Sequence, residues 1–209
     1  MFITFEGIDG SGKSTQVKLL EEYFASLHIE YISVREPGGT EFSEEIRSLL
    51  LNSSYSINPV SELMLFEAAR ANLVEKIIRP SIEKNIIVIA DRFYDSTTAY
   101  QGYGRQLPIN YINICNELAV GNCIPDITFL LTLPINEARQ RIIHLKQDRM
   151  ESSSNDFFER VYYGFLEIAK ANQYRIHIID ARQSIWEIFN SIIEILKRQF
   201  PYIFLKSTL

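Results

Sequence analysis

The sequence is short of the features that mark several large classes of protein. It has two cysteines, Cys115 and Cys123, among 209 residues. That is too few for a disulfide framework, so a reducing cytoplasm is the expected setting and buried thiols the expected role. No apolar run approaches the roughly 20 residues that cross a bilayer, and the opening Met-Phe-Ile-Thr-Phe-Glu-Gly lacks the basic leader of a secretory signal. No membrane partner is expected. Basic charge is also in deficit: 21 Lys and Arg face 26 Asp and Glu, a formal net charge of −5. A dedicated nucleic-acid binder usually shows the opposite balance, so no nucleic-acid partner is expected. Internal repeats and low-complexity linkers are missing too. What remains is one globular domain over residues 1–209, with 46% hydrophobic and 22% charged residues.

Short apolar runs are present at Phe2 to Phe5, Ile29 to Val34, Ile86 to Ala90, Ile127 to Thr132 and Arg175 to Ile179. Nearly continuous apolarity is the pattern of strands covered on both faces. Between them, helical spacing links Val17, Leu20, Phe24 and Leu27, then Phe42, Ile46, Leu49 and Leu50. Later stripes are Val161, Phe165, Ile168 and Ala169, and Ile185, Ile188, Phe189, Ile192 and Leu196. Asp156 with Glu159 and Ser184 with Glu187 read as capping boxes. The stretch Val60 to Lys84 reads as helix that Pro80 kinks or ends near Arg79. Strands alternating with helices predict an α/β fold with a doubly wound parallel sheet. The tail from Phe200 either packs on the core or frays.

The strongest motif is Gly7-Ile8-Asp9-Gly10-Ser11-Gly12-Lys13-Ser14, followed by Thr15, between a predicted strand and a predicted helix. Its glycines allow a loop whose N–H groups turn inward on phosphate oxygens, and the helix adds its positive dipole end. Lys13 then contacts the β- and γ-phosphates of ATP, and the Ser14 hydroxyl ligates Mg²⁺. A second acid for the metal is expected at the end of a buried strand, and Asp91 closes Ile86-Ile-Val-Ile-Ala-Asp91.

The guanine-reading N-K-x-D of GTPases is absent. In its place are arginines near turns: Arg35 in Arg35-Glu36-Pro37-Gly38-Gly39-Thr40, then Arg47, Arg70 and Arg92. These positions lie near the carboxyl ends of predicted strands or on flanking helices, where α/β sheets bind ligands. Phe66 and Arg70 are four apart and share a helix face, an aromatic plate beside a planar donor fork. Tyr94-Asp-Ser-Thr97-Thr-Ala-Tyr100-Gln101 adds hydroxyls, a phenol and an amide suited to a sugar and a base edge.

Four motifs in this order, E-G-I-D-G-S-G-K-S-T, R-E-P-G-G-T, E-L-M-L-F-E-A-A-R and D-R-F-Y-D-S-T-T-A-Y-Q-G, make the chain resemble the thymidylate kinase family over nearly its whole length. The resemblance implies a P-loop NTPase fold with a five-stranded parallel sheet, a homodimer, and transfer of the γ-phosphoryl of ATP to dTMP. It also implies that Phe66 stacks on thymine, that Arg70, Thr97 and Gln101 contact the base, and that Tyr100 lies under the sugar and disfavours a 2′-hydroxyl. Arg35 and Arg92 would hold the dTMP phosphate, Asp9 would reach the 3′-hydroxyl, and Glu36 would lie near the sugar-phosphate.

The acceptor is already an anion, so the chemistry calls for positioning and cationic donors rather than a strong base. An arginine at the transferring group comes, in the resembling family, from the P-loop or from a lid. The P-loop here has none among residues 8–11, so the lid, around residues 139–156, is expected to supply it. Arg139, Arg141, Lys146 and Arg149 precede the serine-rich Glu151 to Asn155, and D-R-M-E with D-F-F-E-R-V resembles the bacterial lid type. Arg149 is the expected catalytic arginine and Arg141 the one beside adenine, with Arg182 in an adenine-side loop. Two rivals are a kinase for another nucleoside monophosphate and a non-enzymatic nucleotide switch. The switch gives no reason for the second arginine cluster.

Overall fold

The computed structural model describes residues 1–52, 56–144, 149–150 and 154–205. Lys146, Asp148 and the lid residues 151–153 lie outside the described residues. Five strands, β1 (Phe2–Glu6), β2 (Tyr31–Arg35), β3 (Ile87–Asp91), β4 (Ile127–Thr132) and β5 (Ile176–Asp180), form one parallel sheet in the order β2-β3-β1-β4-β5. Every expected strand is present within two residues. The helical segments are α1 (Lys13–Ser26), α2 (Glu41–Asn52), α3 (Pro59–Leu73), α4 (Arg79–Glu83), α5 (Tyr94–Thr97), α6 (Ile109–Val120), α7 (Ile135–Ile142), α8 (Asn155–Ala171), α9 (Ile185–Gln199) and α10 (Tyr202–Leu205).

Alternation within the apolar runs builds two cores. Ile3, Phe5, Ile87 and Ile89 point to one face, with Leu20 and Phe24 of α1, Phe165 of α8 and Ile192 of α9. Phe2, Val88 and Ala90 point to the other, with Leu73, Val74 and Phe93. Each such Phe or Ile contributes about 1.5–3 kcal/mol by leaving water. The central strands β1 and β4 are buried almost throughout, whereas the outer strands β2 and β5 are only partly buried. Among the described residues their outer edges pair with no further strand, so continuous apolarity is not required there.

The capping box expected at Ser184 forms: its hydroxyl accepts from Glu187 N at 3.3 Å and its own N–H donates to the Glu187 carboxylate at 2.9 Å. The one expected at Asp156 does not. Helix α8 starts earlier, at Asn155, because extended Ser154 accepts from Phe157 N at 3.3 Å, which leaves Asp156 in the first turn. Pro80 neither ends nor breaks its helix. The chain widens to π register over Val74–Ile78 and resumes α register at Arg79, so the proline falls in the first turn of α4. Part of the tail packs on the core: Ile203 is buried, and Phe204 lies against the rings of Tyr23 and Phe24. Among the described residues no helix is long and apolar enough to cross a membrane.

Candidate active site

Strand β1 sits between β3 and β4, and Phe5 pairs with Asp91 while Glu6 pairs with Leu130. The carboxyl ends of the three central strands therefore open on one edge at the topological switch point. The loop after β1 turns through Gly7, Gly10 and Gly12 at φ 137°, 80° and 93°. A Cβ at Gly7 would meet the Leu131 carbonyl at 2.3 Å, and one at Gly10 the Ala138 carbonyl at 2.3 Å. A Cβ at Gly12 would meet nothing within 4 Å, so that position opens on free space at the start of α1. No side chain caps α1 and no acid stands in its first turn, which leaves its N–H groups and dipole for an anion.

Lys13 is buried and donates to the Ile8 carbonyl at 3.1 Å. Burial and the nearby Arg92 lower its ammonium from the usual value, while Asp9 and Asp91 oppose that shift. Ser14 Oγ donates to Asp91 Oδ2 at 2.5 Å, so the two residues expected to hold a metal meet at the cradle mouth. They are hard oxygen donors, suited to Mg²⁺ that keeps its remaining positions for phosphate and water. Among the described residues no group of three or more His, Cys, Asp and Glu forms a metal site without a nucleotide.

Arg92 follows β3 in a left-handed conformation, φ 74°. Its guanidinium donates to the Gly7 carbonyl at 2.9 Å, to Asp9 Oδ1 at 2.6 Å, to Ser96 Oγ at 3.0 Å and to the Tyr100 hydroxyl at 3.3 Å. Burial alone would raise the Asp9 carboxyl, but Arg92 and Lys13 hold it below its usual value. Burial raises the Tyr100 phenol, which stays neutral.

A cavity adjoins this cluster. Asp9, Glu36, Phe66, Arg70, Arg92, Thr97, Tyr100 and Gln101 all line it, eight of the nine residues expected around the acceptor. Arg35 is not brought in: it is exposed and paired with Glu44 at 3.1 Å. Arg70 is buried, with Nε and one terminal nitrogen on Glu36 Oε2 at 2.8 and 2.6 Å and the other on Glu67 Oε1 at 2.7 Å. Among the described residues Glu36 Oε1 is buried without a partner. Burial pushes the Glu36 carboxyl up to about 7, against the pull of Arg70. One face of α3 thus carries Glu62, Phe66 and Arg70 at four-residue steps.

Glu62 was not singled out by sequence, yet it holds Gln101 at the cavity wall. It is fully buried and accepts from Gln101 Nε2 at 2.9 Å, from Arg105 Nε at 3.0 Å and pairs with Arg149 at 2.7 Å. Burial would raise its carboxyl, but the bonds from Arg105, Gln101 and Arg149 bring it below the usual value. A carboxylate only accepts, so it fixes the amino group of Gln101 toward itself and leaves the Gln101 carbonyl oxygen for the other side. Gln101 and Tyr100 stand in a π-helical stretch, Thr98–Gly104, that no periodicity announced. Ser96, Pro37, Arg47, Leu51 and Met150 also line the cavity. Of these, Arg47 carried a sequence signal in its place on the helix after the glycine pair, and Ser96 in the hydroxyl-rich run that leads to Gln101.

The lid arginines are spread over the site. Arg149 lies beside the cavity, where Nε donates to the Leu50 carbonyl at 2.8 Å and the fork reaches Glu62, with Met150 lining the cavity next to it. Arg141 joins the loop after β5 to the P-loop, donating to the Ala181 carbonyl at 2.8 Å and the Gly10 carbonyl at 3.4 Å. Arg139 bonds Asn155 and lies over the Phe158 ring. Arg182 is exposed and forks onto Asp180, whose carboxyl it holds down to about 2.

Comparison with known proteins agrees with this geometry. Residues 5–192 match the family described as thymidylate kinase. The chain is 46% identical over 195 residues to a thymidylate kinase of Kosmotoga olearia, covering 93% of this chain and 94% of that protein. It is 44% identical over 211 residues to one from Chlorobium limicola, covering 96% of each. The crystal structure of thymidylate kinase from Ehrlichia chaffeensis superposes with a TM-score of 0.79 at 40% identity, covering 94% of this chain and 98% of that one. A P-loop, an adjoining arginine-lined cavity and matches of this extent together assign the chain to the thymidylate kinase family.

Proposed function

We propose that this protein transfers the γ-phosphoryl group of ATP to dTMP, giving ADP and dTDP, with ATP on the P-loop and dTMP in the adjoining cavity. The observation that carries the reading is the double engagement of Arg92. It is bonded to the P-loop at Gly7 and Asp9 and lines the acceptor cavity, so one guanidinium sits between donor and acceptor. The dTMP phosphate is the nucleophile and needs no strong base. The protein brings two polyanions together and meets the charge on the transferring group with Lys13, Arg92 and the N–H groups of the P-loop.

In the cavity, Phe66 stacks on the base, Arg70 and Thr97 bond its edge, and the Gln101 carbonyl oxygen accepts from a ring N–H. Thymine and uracil carry that N–H and cytosine does not, so the Glu62–Gln101 contact argues against dCMP. Tyr100 lies under the sugar and crowds a 2′-hydroxyl, Asp9 takes the 3′-hydroxyl, and Glu36 stands near the sugar-phosphate. Arg35 joins the phosphate by releasing Glu44. Arg141 and Arg182 belong to the adenine side. We assign the arginine of the transferring group to Arg149, which reaches it by exchanging Glu62 for phosphate as the lid closes. Such an arginine contributes roughly 10³–10⁵ in rate.

Ser14 and Asp91 would hold Mg²⁺, which when bound neutralises phosphate charge and orients the donor. The protein is read as a homodimer that works in the cytoplasm, where its free Cys115 and Cys123 stay reduced. ADP release with ATP and a panel of dTMP, dUMP, UMP, dCMP, dAMP and dGMP tests the reading. Turnover is expected to be strongest on dTMP and weaker on dUMP, since one methyl is worth about 1–3 kcal/mol. It is expected to be negligible on the rest. Preference for a purine or cytidine nucleotide overturns the base assignments. Nucleotide binding with no acceptor phosphorylated overturns the kinase.

A further inference from the structure

We propose that Glu6 is a positioning residue for the acceptor phosphate: from the end of β1 it caps α5 and, through Ser96, fixes the guanidinium of Arg92. The inference rests on the reading that Arg92 holds the dTMP phosphate.

Glu6 is 1% exposed and does not line the cavity, so it does not touch a substrate there. Burial and the nearby Asp95 push its carboxyl up to about 8, against the bonds from Ser96 and Phe93 and the pull of Arg92. A buried carboxyl needs polar partners, and those it has come from the segment just after Arg92. Oε1 accepts from Phe93 N at 2.8 Å and from Ser96 N at 3.3 Å. Phe93 is the N-cap of α5 and has no capping side chain of its own. Glu6 therefore supplies, from 87 residues away, the acceptor that an N-cap Ser or Asp would supply locally.

The second oxygen sets the direction of a hydrogen-bond chain. Ser96 Oγ donates to Glu6 Oε2 at 2.6 Å, and with its proton so committed it presents a lone pair that accepts from Arg92 at 3.0 Å. Arg92 is a non-glycine residue at φ 74°, a conformation that persists only where its surroundings impose it. A bond from Arg92 N to the Phe5 carbonyl at 2.9 Å holds the backbone on β1. Glu6, the next residue of β1, holds Phe93 and Ser96 on the other side of that strained position.

Calorimetric titration of dTMP and of thymidine, which lacks the phosphate, into the wild type and Glu6→Ala tests this. Loss of the anchor is expected to weaken dTMP by roughly tenfold, the scale of one hydrogen bond to a charged group, and thymidine by less than about twofold. Unchanged dTMP affinity, or equal weakening of both ligands, overturns the inference. Should Glu6→Ala not fold, Glu6→Gln retains an acceptor for the two N–H groups. It turns an amino group toward Ser96 Oγ, so a selective loss for dTMP of about threefold or more is expected, and none overturns the proposal. Arg92→Ala, run alongside, separates the two readings. If it weakens dTMP and thymidine alike, the assignment of Arg92 to the phosphate fails. If it is selective and the Glu6 variants are not, only the inference about Glu6 fails.

Discussion

Around Arg70 one buried guanidinium serves two buried carboxylates, Glu36 and Glu67, at 2.6 and 2.7 Å. One cation does not compensate two anions in a desolvated place, and Glu36 is left with an oxygen that no described protein group satisfies. Burial, with Glu67 close by, raises the Glu36 carboxyl from 4.5 to about 7 against the pull of Arg70. An acid whose folded value is raised binds its proton in the fold over a range where the unfolded chain has lost it. Folding stability then falls as pH rises from about 4.5 to about 7 and levels off above. Glu36→Gln cannot titrate, so its stability is expected to stay flatter over that window. The gap between wild type and variant should shift by up to about 3 kcal/mol across it, in favour of the variant at the higher pH. Urea unfolding of both proteins at a series of pH values checks this. Parallel stability curves would show that Glu36 ionises in the fold as it does unfolded.

At the scale of elements, the P-loop and α7 are packed as one unit. Gly10 has φ 80°, and its missing Cβ leaves room for the backbone carbonyl of Ala138 in α7. Gly10→Ala is therefore expected to part the loop from α7 and to break the Arg141 link to the Gly10 carbonyl, with ATP affinity falling by about tenfold or more. Nucleotide titration measures it, and wild-type affinity would mean that the loop adapts freely. The P-loop itself was legible because its chemistry is local: glycines, Lys13 and Ser14 lie within one turn of chain. Phe66 and Arg70 were legible because four residues is one helical step. Glu62 and Glu6 were not, since their meaning lies in partners far along the chain, Gln101 and Arg149 for one, Phe93 and Ser96 for the other. Nor was α6 assigned, because its apolar residues lie on more than one face. The widening at Thr98–Gly104 depends on packing that no periodicity records.

At the scale of the whole molecule, the two faces of α6 ask for different partners. Ile112, Asn116, Ala119 and Val120 are buried, and Asn116 reaches the site, bonding Arg70 at 3.4 Å and Thr98 at 3.0 Å. On the opposite side Tyr111, Ile114 and Leu118 are exposed, Leu118 by 86%, at the three- and four-residue steps of one face. Val60 and Met64 of the adjacent α3 are also exposed. Large apolar residues grouped on neighbouring helices are costly in water and mark a surface for association. A two-fold pairing of such faces is the commonest arrangement of a homo-oligomer. The Ile114→Glu/Leu118→Glu double variant would bury like charges against their own copies across the axis, so the wild type is expected to sediment as a dimer and the variant as a monomer. Because Asn116 connects the same helix to Arg70, the monomer is also expected to bind dTMP more weakly, by about threefold or more, with ATP affinity retained. Wild-type protein that sediments as a monomer at micromolar concentration would reject this face as the dimer contact. A monomeric variant with unchanged dTMP affinity would instead sever the contact from the site, leaving α6 to serve two unrelated ends.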